Sequence, residues 1–176
     1  DYDQDGDPDL YVANDSAPNF LFRNEGNQQF TDVAVESATA LSGEGVAQAG
    51  MGIAYGDYDQ DGFSDFFVTH FEDDYNTLYR NRGDGTFAVA STAAGLAEPS
   101  LPRLGFGTSF LDYDNDRDLD LFVANGHVYP QIRHLDPDGY SEPNQLFANQ
   151  GRAGGHRFAE VAAGDLNRLN VSRGSA

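Results

Sequence analysis

Asp57, Asp59, Asp61 and Asp65 occupy positions one, three, five and nine of "DYDQDGFSDFFV". Carboxylates on alternate residues of a tight turn can converge on one centre. The backbone carbonyl of Phe63, at position seven, can join them, because a phenyl ring cannot coordinate. Five or more hard oxygens, completed by water, suit Ca2+, which takes roughly 6–8 oxygens at about 2.3–2.6 Å. Mg2+ demands a stricter octahedron and is the second choice. The spacing recurs in "DYDQDGDPDL" and "DYDNDRDLDLFV". There the candidate ligands are Asp1, Asp3, Asp5 and Asp9 with the carbonyl of Asp7, and Asp112, Asp114, Asp116 and Asp120 with the carbonyl of Asp118. Up to three Ca2+ ions are therefore expected. Without a cation the crowded carboxylates repel one another. Gly6 and Gly62 stand where each loop must turn with positive φ. Arg117 takes that place in the third loop, at a cost of about 1 kcal/mol.

Two other readings compete with a β-loop ion site. An EF-hand needs a bidentate Glu at position twelve and flanking helices. Position twelve is Val12, Val68 and Val123, and each loop runs into β-type sequence: "LYVAN", "FFVTH" and "LFVAN". The EF-hand reading fails on both counts. Plain solvated acidic turns would explain the charge, but not one spacing in triplicate.

Composition narrows the function classes. The chain of 176 residues has a formal charge of −19, and fourteen of its 29 acidic residues lie in the three quoted stretches. Acidity concentrated in this way points to cations. It argues against nucleic acid and anionic membrane, which both call for Lys and Arg. There are no cysteines, which excludes disulfides, thiolate catalysis and Cys-based zinc sites. No stretch is apolar enough to span a membrane as a helix.

The loops must be positioned by something that repeats as they do. Asp1, Asp57 and Asp112 begin equivalent motifs. Downstream, "NFLFRNEG", "NTLYRNRG" and "NQLFANQG" share the pattern Asn-x-Leu-aromatic-x-Asn-x-Gly. Upstream of the second and third loops lie "GMGIAYG" and "GFGTSFL". The second unit reads as four short strands, near 51–56, 66–70, 76–80 and 86–91, with "NRGDG" as a hairpin turn. Apolar residues do not recur at helical spacing. Four short strands per long repeat describe a propeller blade. The expected fold is all-β: about three four-stranded blades forming part of a larger β-propeller. Blade one covers 1–49 and lacks its first strand. Blade two covers 50–104, and blade three covers 105–170 with an insertion at 126–143. Residues 171–176 read as the first strand of a following blade, with Gly174 matching Gly52 and Gly107. Three units cannot close a ring, so a longer parent chain, or association with further blades or other chains, is expected.

Other motifs favour structural readings. Arg82-Gly83-Asp84 spells an integrin-binding tripeptide, but its equivalents in the other units are ordinary turns. His127 and His134, near Asp136 and Asp138, match no zinc spacing. His70 and His156 stand apart. Tyr2, Tyr58 and Tyr113, and Phe22, Tyr79 and Phe147, recur in register. They suit inter-blade packing, or alternatively a sugar-stacking platform. No nucleophile elbow, P-loop or Rossmann turn occurs.

The segments "GDYDQDG", "SDFFV" and "NTLYRNRGDGTF" resemble FG-GAP/VCBS repeats over essentially the whole chain. "LFVANGHVYP" and "NQLFANQG" are similar, more narrowly, to the ASPIC/UnbV-associated, cartilage acidic protein-like group. The resemblance implies calcium in the loops, propeller blades, and an extracellular, secreted or periplasmic setting. The expected function is a non-enzymatic, calcium-binding interaction or scaffold module with a protein or glycan partner. A carbohydrate-binding or polysaccharide-processing propeller, and a structural subunit or fragment of a larger assembly, are the alternatives.

Overall fold

The computed structural model describes residues 1–134, 139–162 and 164–175. It is built from short antiparallel strands: β1 (Leu10–Val12), β2 (Phe20–Asn24), β3 (Phe30–Asp32), β4 (Ile53–Gly56), β5 (Asp65–Val68), β6 (Thr77–Asn81), β7 (Phe87–Val89), β8 (Gly105–Leu111), β9 (Asp120–Asn125), β10 (Gln145–Asn149) and β11 (Phe158–Glu160). They form one three-stranded sheet, β1-β2-β3, and two four-stranded sheets, β4-β5-β6-β7 and β8-β9-β10-β11. Each sheet is a meander, so every strand pairs with its chain neighbour. The all-β expectation holds, and the four strands of the second unit fall within a few residues of their predicted places. One departure lies in the linker after β7, where Ala97–Ser100 form a single helical turn, α1. The Ser100 hydroxyl joins it to the sheet by accepting from the Asn76 amide at 2.9 Å. Among the described residues, no helix is long and apolar enough to cross a membrane.

The sheets stack face to face, and the period of two decides what each face meets. Along β5, Phe66 and Val68 pack with Tyr2, Leu21 and Val33 of the first sheet. Phe67 points the other way, against Leu121, Val123 and Phe147 of the third. Both faces of the middle sheet are thus covered. This explains why "FFV" is apolar at consecutive residues rather than alternating. Each such buried aromatic or aliphatic side chain contributes roughly 1.5–3 kcal/mol. On the outer face of the first sheet Leu10 is 54% exposed.

A second repeat holds consecutive units in register. Asn14, His70 and Asn125 are equivalent residues just beyond β1 and β5 and at the end of β9. Each donates its amide to the first Asn of the Asn-x-Leu motif: to Asn19 at 3.0 Å, Asn76 at 2.8 Å and Asn144 at 3.0 Å. Each carbonyl then accepts an amide from the following unit: Gly50 to Asn14 at 2.9 Å, Gly105 to His70 at 3.0 Å and Ser172 to Asn125 at 3.0 Å. The third of these bonds draws residues 171–175 alongside β8, where the Gly107 amide also reaches the carbonyl of Arg173 at 3.0 Å. The segment forms isolated bonds there rather than a ladder and carries no strand. Ala176 lies outside the described residues.

Candidate metal centres

The acidic loops lead into β1, β5 and β9, all at the same end of the stacked sheets. Their shape is dictated by side chains that capture backbone amides. In the second loop the Asp61 amide donates to Asp59 Oδ1 at 3.3 Å, and the Phe63 amide to Asp61 Oδ1 at 3.0 Å. In the third, the Asp116 amide donates to Asp114 Oδ1 at 3.2 Å and the Asp118 amide to Asp116 Oδ1 at 2.8 Å. The first repeats this with Asp5 on Asp3 at 3.4 Å and Asp7 on Asp5 at 2.9 Å. Position one closes the loop. Asp57 accepts from the amides of Asp61 and Gly62, and Asp112 from those of Asp116 and Arg117.

These turns require left-handed backbone. Gly6 and Gly62 have φ of 97° and 95°, and Arg117 follows at 77°. A Cβ at Gly6 or Gly62 would meet nothing within 4 Å, so the arginine is tolerated at a conformational cost alone. Position four is left-handed as well, at Gln4, Gln60 and Asn115. Sequence reasoning missed this second bend.

The outcome is three groups of carboxylates whose oxygens lie within 4.8 Å of one another: Asp1, Asp3 and Asp5; Asp57, Asp59 and Asp61; Asp112, Asp114 and Asp120. That span is about twice a Ca–O bond, so one ion at the centre can touch every member. The donors are all hard oxygens, which fits Ca2+. Of the other predicted ligands, Asp9, Asp65 and Asp116 stand outside these groups. At position seven, the side chain of Asp118 turns to the neighbouring loop, where it accepts from Gln60 Nε2 at 2.8 Å. The side chains of Asp7 and Phe63 lie beside the hairpin glycines Gly26 and Gly83, away from the clusters.

Position nine has a second role that the spacing did not reveal. Asp65 is fully buried. Its Oδ2 accepts the Tyr58 amide at 3.1 Å and its Oδ1 the Asn81 amide at 2.8 Å. Asp9 does the same for Tyr2 and Asn24, both at 2.9 Å, and Asp120 for Tyr113 at 3.0 Å and Asn149 at 2.9 Å. Burial pushes the Asp65 carboxyl up to about 7, while the two amides pull it down. Asp120 is raised for the same reason. The partner asparagines close the network. Asn81 Nδ2 reaches back to the carbonyl of Tyr2 at 2.8 Å, and Asn149 Nδ2 to that of Tyr58 at 2.9 Å. The first and second acidic loops are thereby tied to the next sheet. Gln4 adds a further tie, from its Nε2 to the carbonyl of Gly62 at 2.6 Å.

The remaining candidates have structural partners. Tyr2 packs on Phe87 and Tyr58 on Phe158, with ring centroids 5.9 and 5.7 Å apart. Among the described residues Tyr113 has no such ring neighbour, and it is 39% exposed. In the Arg82-Gly83-Asp84 turn, Asp84 Oδ1 accepts both the amide and the hydroxyl of Thr86. His127 is buried between Glu72, 3.1 Å from its Nε2, and the Tyr129 amide, 3.0 Å from its Nδ1. Asp136 and Asp138, considered with it, lie outside the described residues.

The family model described as FG-GAP-like repeat matches this chain twice, over residues 1–68 and 57–123. The chain belongs to that family. Both matches begin at an acidic loop and extend through the next one into the strand behind it. The three sheets of this FG-GAP-like chain are therefore blades of the propeller type. Among curated proteins it is 25% identical to "Cartilage acidic protein 1" of Xenopus tropicalis, over 96% of this chain and 27% of that protein. The proteins of the same name from Mus musculus and Homo sapiens are 28% and 26% identical, again over 96% of this chain. The chain thus spans about a quarter of the length of the relatives it matches.

Proposed function

We propose that this FG-GAP-like segment is a non-catalytic, calcium-stabilised interaction module of an extracellular protein. The observation that carries the reading is a three-carboxylate cluster in the acidic loop of every unit, drawn from positions one, three and five in the first two and one, three and nine in the third. Asp1, Asp3 and Asp5, with the carbonyl of Asp7, would hold one ion. Asp57, Asp59 and Asp61, with the carbonyl of Phe63, would hold the second. Asp112, Asp114 and Asp120, with the carbonyl of Asp118, would hold the third, and Asp116 lies close by. A bound Ca2+ would neutralise carboxylates that otherwise repel. The chain's own part is to pre-shape the loops, through the amide bonds to Asp57 and Asp112, and to lock them to the sheets through Asp9, Asp65 and Asp120.

The shared name of the relatives, cartilage acidic protein, supports a setting outside the cell, where free calcium is high enough for sites of modest affinity. A protein partner is the better proposal than a glycan, because Tyr2 and Tyr58 are used in packing and offer sugars no repeated platform. The partner would meet the loop-bearing faces of the blades or the 126–143 insertion. Calorimetric titration of the chelated chain with CaCl2 tests the ion reading, and uptake of fewer than two ions would reject it. Pull-down from extracellular matrix extract beside a glycan array tests the partner class. Glycan binding alone would overturn the protein assignment.

A further inference from the structure

The three acidic loops differ in one respect that their shared spacing hides. On β6, Arg80 sits between two of the second loop's carboxylates. Its Nε lies 2.5 Å from Asp59 Oδ2, and its Nη2 lies 3.1 Å from Asp61 Oδ2. The Oδ1 atoms of the same two residues already accept the amides of Asp61 and Phe63. The guanidinium therefore covers the oxygens that the loop would otherwise turn toward an ion. The other loops serve as internal controls. Arg23 stands at the equivalent place on β2, but its guanidinium turns away to Glu25 at 2.7 Å. On β10 the equivalent residue is Ala148. Among the described residues, no Lys or Arg side chain is paired with Asp3, Asp5, Asp114 or Asp116.

The geometry points to Arg80 as a resident cation of the second loop, one that a divalent ion must displace before it can bind there. This inference rests on the calcium reading above and adds that the loops are unequal. The first and third would fill first. The second would fill only when Arg80 swings off Asp59 and Asp61, exchanging one charge-assisted pair for ion ligation. Arg80 is free to do so, since its side chain is 47% exposed. High salt screens the pair from the exposed Arg80 side, although Asp59 is 8% exposed. It screens attraction to the ion too, so salt alone cannot separate the two effects and substitution is required.

The test is calorimetric titration of the full 176-residue chain with CaCl2 after chelation. Wild type is compared with Arg80→Ala, Arg80→Gln and Arg23→Ala. Each variant is first melted to establish that it is folded; Arg80→Gln keeps the stem and serves if Arg80→Ala does not fold. Removing the guanidinium is expected to tighten one binding step roughly three- to tenfold and leave the others in place. Arg23→Ala should move none. Adding Asp57→Asn to Arg80→Ala should abolish the tightened step, which assigns it to the second loop. In a proton–nitrogen spectrum the Arg80 Nε–H signal should shift only in the last stage of the titration. Binding steps that stay unchanged or weaken in both Arg80 variants would overturn the inference while leaving calcium binding intact. No calcium uptake by any variant would instead remove the reading beneath it.

Discussion

Asp65 holds Asn81 by a buried hydrogen bond, and a second bond from Asn81 to the residue before Asp65 runs beside it. The Asp65 carboxylate accepts the Asn81 amide at 2.8 Å, and Asn81 Nδ2 donates to the carbonyl of Ser64 at 3.2 Å. The start of β5 is thereby tied to the end of β6, and the acidic loop cannot drift from the hairpin beyond it. A brace of this kind works with or without an ion. Asp65→Ala strands two buried amides, those of Asn81 and Tyr58, and should cost about 2–4 kcal/mol in urea unfolding. The loss should be equally large in chelator. Asp61→Ala should cost under about 1 kcal/mol in chelator, where it loses only half-exposed contacts, and distinctly more in calcium. If both variants responded to calcium alike, the separation of brace from ligand would fail.

Chelation should act on the whole assembly. At free calcium a hundredfold above Kd, each filled site adds about 2.7 kcal/mol of stability. For a chain of this size that is about 5–10 °C per site. Differential scanning calorimetry in calcium and in EDTA measures it directly. Coincident melting curves would be incompatible with structural ions in any of the three loops.

The loops were legible in the sequence because ligand chemistry writes itself locally: alternate aspartates, a turn glycine, and Val68 where an EF-hand needs Glu. The strands were legible because the Asn-x-Leu-aromatic-x-Asn-x-Gly pattern marks a strand and its hairpin together. What stayed hidden depends on residues far apart in the chain. Arg80 meets Asp59 across 21 positions, Gln4 meets Gly62 across 58, and Asn149 meets Tyr58 across 91. The last two join different units, and no spacing within one unit records them. Asp120 replaces Asp116 in the third cluster for a similar reason. Which carboxylate swings inward depends on how the loop is held, and composition does not contain that.

Glycines at equivalent-looking places should respond very differently to substitution. A Cβ on Gly52 would overlap the carbonyl oxygen of Phe106 on the next blade. That carbonyl also accepts from Thr69 Oγ1 at 2.6 Å, so it cannot easily retreat. Gly52→Ala should therefore cost more than about 2 kcal/mol, in the range of an overpacked core. Gly62→Ala meets open space and pays only for its positive φ, about 1 kcal/mol. Arg117 already shows that such a cost is bearable. Urea midpoints for the two variants decide the matter, and equal losses would mean that the blades are not in contact at Gly52.

Asp65, its carboxyl raised by burial to about 7, gains stability as pH falls through that value; His70 works in the opposite direction. It is fully buried, and loss of hydration lowers its pKa to about 4, partly opposed by a hydrogen bond with the Tyr75 backbone. Its unfolded value is about 6.5. Between those limits the unfolded chain binds the proton and the folded chain does not. Stability from this group is therefore complete above about pH 6.5 and is lost as pH falls toward 4. The total is about 3 kcal/mol, from about 1.4 kcal/mol for each pH unit. The equivalent residues Asn14 and Asn125 occupy the same inter-unit joint without a titrating ring. His70→Asn should keep the backbone bonds to Asn76 and Gly105 and lose about 3 kcal/mol less than wild type between pH 7 and pH 4. Urea unfolding from pH 7 to pH 4 in chelator, which removes calcium's own pH dependence, measures the slope. An unchanged slope in His70→Asn would assign the acid sensitivity to other groups.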